Sequence, residues 1–435
     1  MNNYNYKKNL IDKIKTKKAI IGVIGLGYVG LPLAILFAKK KFKVIGFDID
    51  KNKIKKIKQK KSYIEKISTK DISLLTKSNY CSDRFEKINL CDVLIICVPT
   101  PLSKGNKPDL SYIKNTFQSI KDKLNFGQAI ILESTSYPGT TEEEIVSKLN
   151  KKFLVGRNIF VGFSSERINP GVNENKIQTI PKVVSGYSKS CLEVTENIYD
   201  KVFKKTVKTK NLRIAEFSKL LENIYRAVNI GFINEMKLVA DKMGIDIFEI
   251  IKVANTKPYG FRRFHPGPGI GGHCIPIDPH YLYWKAKKFG ILANFIKLSA
   301  ETNSSVINFI KRKINKIIKS KKIKKPKILI LGMAYKKNMD DIRESASIKL
   351  IEKLNKVKYY KIEYHDPHLK SIILNKSFKK IKKIKKISSN KIKTFDIVVL
   401  MTDHDVFDYK MLLRNSKLII DCRGRYKVNN KVIRA

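Results

Sequence analysis

The sequence predicts an α/β protein: two Rossmann-like doubly wound domains joined by a long central helical segment. Three observations predict it. Short apolar strands alternate with helical stretches over residues 19–211. A stretch with no proline and only Gly231 as glycine then runs from Leu212 to Met243. Strand–helix alternation resumes after Lys325-Pro326. Such alternation builds a parallel sheet covered by helices on both faces. The expected divisions are a tail over 1–18, an α/β domain over 19–211, a central segment over 212–322 and a second α/β domain over 323–435.

The tail is rich in Lys and Asn and lacks the apolar stretch of a secretory signal. Ala19–Gly25 reads as a strand. It runs into Gly25-Leu26-Gly27-Tyr28-Val29-Gly30, which opens an apolar helix through Ala38. The next strand, Lys43 onward, ends at Asp48. A glycine fingerprint after a strand, before a helix, with an acid about 20 residues on, is the full context of a dinucleotide site. Gly25, Gly27 and Gly30 permit the tight turn and close approach of a pyrophosphate, and the helix N-terminus offers N–H groups to it. Asp48 would accept hydrogen bonds from ribose hydroxyls and repel a 2′-phosphate, favouring NAD over NADP. Lys51, close by, could partly offset that repulsion.

Further strands are expected at Val93–Val98, Ala129–Glu133, Ile159–Phe163 and Lys182–Ser185. Ligands of open sheets bind at the carboxyl ends of strands. Thr100, Thr135 and Glu166 stand at three such ends and are candidate pocket residues; each is also a plausible cap or turn former.

In the central segment Phe217, Leu220, Leu221, Ile224, Val228 and Phe232 recur at helical spacing. Lys219 and Asn223 stand one turn apart on one side. Helices are also expected over Ile245–Ala254, Pro279–Phe289 and Thr302–Lys322. Between the first two lies Pro266-Gly267-Pro268-Gly269-Ile270-Gly271-Gly272-His273-Cys274-Ile275-Pro276-Ile277-Asp278-Pro279. So many glycines and prolines exclude regular structure and leave a rigid loop. A thiol there is either a nucleophile or a buried cysteine beside a turn.

In the last domain Lys327–Leu331, Ile362–His365, Asp396–Met401 and Leu418–Asp421 read as strands. The first of them leads into Gly332-Met333-Ala334-Tyr335-Lys336, a weak repeat of the first domain without its glycine fingerprint. Lys336 and Arg343 are the candidate phosphate partners there. Lys376–Lys393 is low-complexity Lys/Ile and reads as an amphipathic surface helix and loop.

The formal charge of +51 could mark a nucleic-acid binder. The lysines are spread along the chain and no nucleic-acid module accompanies them, so solvated faces are the better reading. A basic field should still attract anionic substrates. No apolar run approaches the roughly 18 residues of a membrane span. The 6 cysteines form no CxxC pair, which suits a reducing, cytoplasmic setting. The 6 histidines match no zinc spacing, and no metal is expected.

Taken in order, the glycine fingerprint, Val98-Pro99-Thr100-Pro101, Glu133-Ser134-Thr135, Ser165-Glu166-Arg167-Ile168-Asn169-Pro170-Gly171, Lys219 with Asn223, the Cys274 loop, and Gly332-Met333-Ala334-Tyr335-Lys336 with Arg343-Glu344-Ser345 resemble the UDP-glucose/GDP-mannose dehydrogenase family. The resemblance covers nearly the whole chain. It implies an NAD domain, a central dimerisation segment and a C-terminal UDP-sugar domain. It also implies a four-electron oxidation of a sugar primary alcohol to a carboxylate, using two NAD. The Glu166 and Cys274 segments look most like bacterial UDP-N-acetylglucosamine 6-dehydrogenases, with UDP-N-acetylmannosamine dehydrogenases the nearest rival. UDP-glucose enzymes typically carry Glu where this chain has Pro170 and Lys where it has Ile277. Ser165 departs from the family's usual Pro.

The roles so implied are Cys274 as nucleophile, Glu166 as general base, Lys219 and Asn223 as an oxyanion site, and Thr135 and Asp278 as holders of a water. Gly25, Gly27, Tyr28, Val29, Gly30, Asp48, Thr100 and Thr135 would bind NAD. Arg167, Lys219, Asn223, Gly271, Lys336 and Arg343 would bind the UDP-sugar. A β-hydroxyacid dehydrogenase would share the NAD domain and long helices, but needs neither the thiol nor the last domain.

Overall fold

The computed structural model describes residues 5–64, 67–76, 80–167, 174–369 and 381–435. The chain divides into two compact units, Met1–Glu222 with His280–Ile291, and Asn223–Pro279 with Leu292–Ala435.

The first unit is built on one sheet. Its strands are β1 (Ile20–Ile24), β2 (Lys43–Phe47), β3 (Tyr80–Ser82), β4 (Val93–Ile96), β7 (Ala129–Leu132), β8 (Phe160–Phe163), β9 (Lys182–Gly186) and β10 (Thr206–Lys208); a separate hairpin pairs β5 (Leu102–Ser103) with β6 (Lys107–Pro108). The sheet order is β10-β9-β8-β7-β4-β1-β2-β3. All neighbours are parallel except β8 and β9. Strand order reverses at β1, flanked by β2 and β4, so the ends of these strands form a switch-point crevice. Residues such as Val23, Ile95 and Ile131 are fully buried, as expected of a sheet covered on both faces.

Every strand expected for this half is present within a residue or two. Three-residue β3 and β10, and the hairpin, were not foreseen; edge strands this short carry too little apolar pattern to read. The expected tail also holds more than a tail. Tyr6–Lys15 is a helix, capped by the Asn5 side chain accepting from Lys8 N, with Leu10 and Ile14 one turn apart and buried in the core. Salt bridges from Lys7 to Glu193 and Lys13 to Asp92 hold it further.

The helix Leu212–Met243 is continuous, as its composition predicts. Its apolar face is buried along one edge only. Leu220 and Ile224 are buried, while Phe217, Leu221, Tyr225, Phe232, Val239 and Met243 are exposed.

The second unit carries a sheet of β11 (Lys327–Leu331), β12 (Lys361–His365), β13 (Lys382–Lys383), β14 (Ile397–Leu400), β15 (Ile419–Asp421) and β16 (Val432–Arg434), all parallel, in the order β13-β12-β11-β14-β15-β16. A second long helix spans Asn294–Ser320, beginning a full two turns before the expected Thr302. The two added turns carry Phe295 and Leu298, both exposed. The Lys/Ile-rich stretch also differs from expectation. Its residues 376–380 lie outside the described residues; beyond them β13 pairs with Glu363 and Tyr364, and only Ser389–Lys393 is helical.

The two sheets repeat one turn. Gly25 N donates to Phe47 O at 2.7 Å, and Gly332 N to His365 O at 2.9 Å. Leu26 N donates to Asp48 Oδ2 at 2.8 Å, and Met333 N to Asp366 Oδ2 at 2.7 Å. The acids then diverge: Asp366 is fully paired by Ala334 N and by buried His404. Among the described residues no helix is long and apolar enough to cross a membrane.

Candidate active site

The turn after β1 is shaped for a close approach. Gly25 has φ +91, and a Cβ there would fall 2.7 Å from Cys97 O. A Cβ on Gly30 would fall 1.9 Å from Gly25 O, so the helix Gly30–Lys39 begins as near the strand as backbone permits. A Cβ on Gly27 would meet no atom within 4 Å. The open side of Gly27, with Tyr28 exposed, Val29 half-buried and Asp48 beyond, is a cradle that fits a dinucleotide.

Asp48 is more engaged than its sequence position suggests. Its carboxylate accepts from Leu26 N, from Asp50 N at 2.9 Å and from Lys53 Nζ at 2.9 Å. A carboxylate has about four acceptor positions, so room for a ribose hydroxyl is limited. Lys53, not Lys51, supplies the neighbouring cation. Tyr63 buttresses the same loop by donating to Leu26 O at 2.6 Å. Thr100 is buried and Thr135 half-buried after β4 and β7.

Glu166 follows β8 in a cluster the sequence did not disclose. Lys182, at the start of β9, is 2 % exposed; its Nζ lies 2.7 Å from Glu133 Oε1 and 3.2 Å from Glu166 Oε2. Tyr199 donates to Glu133 Oε1 at 2.7 Å, and Cys97 Sγ lies 3.7 Å from Glu133 Oε2. Burial raises Glu133 above the usual carboxylate range even beside Lys182. Burial works against the Lys182 ammonium, but Glu133 and Glu166 outweigh it and hold Lys182 above its ordinary value. Arg167 pairs with Glu222 at 2.7 Å and donates to Pro181 O at 2.9 Å. Pro170 lies outside the described residues. Lys219 is buried on the long helix.

Lys182 left no signal in the sequence because one lysine has no contrast in a chain with 89 basic residues. The one hint was its position, opening a strand that is otherwise uncharged.

In the second unit the Cys274 loop is clamped at several points. Asn234 accepts from Gly267 N at 3.0 Å, and Lys237 donates to Gly267 O at 3.1 Å. Asn234 also donates to Asn303 on the second long helix at 2.9 Å. Burial pushes Lys237 down to about 8. Gly272 N donates to Arg343 O at 2.9 Å. Gly271, expected to face substrate, packs on Tyr335: a Cβ there would lie 2.5 Å from the Tyr335 Cβ. Arg343, expected to meet a phosphate, pairs with Asp341, with Nη2 to Oδ2 at 2.6 Å. Lys336 is half-buried.

Cys274 O accepts from Ile277 N at 3.0 Å and Asp278 N at 2.8 Å, a turn that leads into the helix Asp278–Lys288. Asn223 Nδ2 donates to buried Asp278 Oδ2. Cys274 is half-buried, whereas Cys81, Cys91, Cys97, Cys191 and Cys422 are all buried. Burial pushes Cys81, Cys91 and Cys422 up to about 12 and Cys97 well above the usual thiol range. Among the described residues no group of three or more His, Cys, Asp or Glu is placed to hold a metal.

Comparison with known proteins agrees with these features along the chain. Three family models match: the NAD binding domain of the UDP-glucose/GDP-mannose dehydrogenase family over residues 19–203, its central domain over 213–305 and its UDP binding domain over 329–428. The UDP-N-acetyl-D-mannosamine dehydrogenase of Methanocaldococcus jannaschii is 36% identical, over 95% of this chain and 91% of its own. The UDP-N-acetyl-D-glucosamine 6-dehydrogenase of Salmonella typhi is 31% identical, over 91% of each. The solved UDP-D-ManNAc dehydrogenase of Pyrococcus horikoshii superposes with a TM-score of 0.84 at 31% identity, over 95% of this chain and 98% of that one. The chain therefore belongs to the UDP-glucose/GDP-mannose dehydrogenase family, and is an NAD-dependent UDP-sugar dehydrogenase.

Proposed function

We propose that the protein oxidises carbon six of a UDP-N-acetylhexosamine to the carboxylate, in the cytoplasm, for surface polysaccharide synthesis. The observation that carries this reading is Cys274: among the described residues it is the one cysteine that is not buried. A thiol nucleophile suits a second oxidation at one carbon. An aldehyde has no further hydride to give until something adds to it.

NAD supplies the hydride acceptor for both oxidations when bound, held by Gly25, Gly27, Tyr28, Val29, Gly30, Asp48, Thr100 and Thr135. Thr135 and Asp278 hold the water that takes the hydroxyl proton. The Cys274 thiolate adds to the aldehyde carbon, forming a C–S bond and a thiohemiacetal. Lys219 and Asn223 stabilise the oxyanion, at about 2–4 kcal/mol per donor. The second oxidation leaves a thioester. Glu166 takes a proton from water as it attacks the thioester carbon, and the C–S bond breaks to return the thiolate. Arg167, Gly271, Lys336 and Arg343 contact the UDP-sugar. The exposed apolar residues of the Leu212–Met243 helix, Phe232 and Met243 among them, form a homodimer surface.

UDP-GlcNAc is the preferred sugar on the Glu166 and Cys274 motifs, in line with the Salmonella relative. The Methanocaldococcus relative, at 36% identity, favours UDP-ManNAc as the second reading. Incubating the protein with NAD and a panel of UDP-sugars, and counting NADH per sugar, tests both. Two NADH per acetamido sugar is expected; one NADH with accumulating aldehyde refutes the thioester route. Cys274→Ser should bind both ligands and stall at or soon after the first hydride, because an alkoxide is far harder to form than a thiolate. Glu166→Gln should complete both oxidations and stall as a covalent adduct visible by intact-protein mass spectrometry.

A further inference from the structure

Glu166 is the end of a buried ionic chain. Glu133 is 0 % exposed, Lys182 2 % and Glu166 12 %, so only the last member reaches toward solvent. Glu133 is well partnered: Lys182, Tyr199 and Cys97 all approach its two oxygens. The Lys182 ammonium is further flanked by the neighbouring rings of Tyr199 and Phe203, each 5.2 Å away. A lysine held this way has few rotamers left to it. Its contact to Glu133 is the shorter one, 2.7 Å against 3.2 Å to Glu166.

Ion networks buried for stability alone are weak candidates, since apolar residues of similar volume often serve as well. This one opens onto a carboxylate with a chemical role, at the carboxyl end of β8 where ligands of such sheets bind. We propose that Lys182 and Glu133 are positioning residues for the thioester-hydrolysis step: Lys182 fixes the direction of the Glu166 carboxylate, and Glu133 anchors the Lys182 ammonium from the buried side. The proposal rests on Glu166 being the general base for that step.

No lysine would leave the Glu166 carboxylate without a fixed direction, and a base must lie within hydrogen-bond reach of the proton it takes. Anchoring the ammonium on a deeper carboxylate holds that direction. Tyr199 and Cys97 complete the shell around Glu133, so that its orientation, too, is set by donors and not by solvent.

The test uses the full-length protein, NAD and whichever of UDP-GlcNAc and UDP-ManNAc it oxidises. Four proteins are compared: wild type, Glu166→Gln, Glu133→Gln, and the double variant Glu133→Gln/Lys182→Met. The double variant avoids leaving an unpaired buried carboxylate, which would itself destabilise the fold. Rapid-quench kinetics report the first-turnover NADH burst, and intact-protein mass spectrometry reports the covalent adduct. In both Glu133 variants the burst rate and the KM for NAD should stay within about twofold of wild type. Steady-state kcat should fall about tenfold or more, but by less than the full 10²–10⁴-fold worth of a general base, and the adduct should accumulate. A purely structural role would slow burst and steady state together, with no adduct, and that result overturns the proposal. If Glu166→Gln accumulates adduct and the Glu133 variants do not, the positioning roles fail and the general base stands. If Glu166→Gln turns over normally, the reading of Glu166 falls and this proposal falls with it.

Discussion

Replacing Gly27 and Gly30 by alanine, one at a time, should separate folding from cofactor binding within a single turn. At Gly30 the added Cβ would lie 1.9 Å from Gly25 O and 3.1 Å from the Cβ of Cys97. Carbon–oxygen contacts are comfortable near about 3.3 Å, so the helix start must retreat by roughly 1.4 Å from the strand. The obstacle is backbone, which cannot rotate aside as a side chain would. Overpacking of this kind costs about 1–3 kcal/mol or more. It also moves the N–H groups that face a phosphate. At Gly27 the same methyl meets nothing within 4 Å. The fold should tolerate it, or gain about 0.4–1 kcal/mol from a stiffer unfolded chain. Yet that methyl fills the space the cofactor needs. Both variants should lose at least tenfold in NAD affinity, about 1.4 kcal/mol, but only Gly30→Ala should lose stability. Urea unfolding and calorimetric titration with NAD measure the two effects, with UDP titration as the control. If Gly27→Ala unfolds as early as Gly30→Ala, the open side of Gly27 is misjudged. If it binds NAD as wild type does, the cofactor does not pass over that residue.

Three further outcomes follow from buried polar groups. Glu216 accepts from Gly139 N, Thr141 N and Thr141 Oγ1, yet burial pushes it from 4.5 up to about 7. A carboxyl raised on folding stabilises below its unfolded value and loses that contribution as pH rises through the folded one. Wild type should therefore lose on the order of 3 kcal/mol relative to Glu216→Gln between pH 4 and about pH 8, and parallel stability curves would refute the shift. Asp48→Ala should narrow the preference for NAD over NADP, and Lys53→Met should widen it by removing the cation beside Asp48; equal wild-type rates with both cofactors would remove the role given to Asp48. Asn234→Ala breaks the ties to Gly267 and Asn303 and should cost about 1–3 kcal/mol with a fall in kcat, both read against unchanged NAD affinity.

Sequence alone determined the features whose physics is local. The glycine fingerprint reads correctly because a φ of +91 at Gly25 and the near-contact of Gly30 with Gly25 O are demands of one short turn. The bounds Leu212–Met243 were legible because the segment holds no proline, and its one glycine, Gly231, is too little to end a helix this long. Cys274 stood out because its prolines and glycines exclude helix and strand. What depends on partners distant in the chain was not legible. The sequence places Lys51 near Asp48, but helix geometry delivers Lys53. It marks an apolar run from Phe217 to Phe232, but only packing decides that Leu220 is buried and Phe217 exposed. It shows Arg343 as a cation, and the folded loop gives that cation to Asp341. Lys182 is the clearest case. In a chain this rich in lysine its identity says nothing, and its importance arises only when β7, β8 and the helix Lys189–Asp200 bring Glu133, Glu166 and Tyr199 around the ammonium on β9. The energy of a charge depends on the burial and partners that the fold supplies, and neither is written at the residue itself.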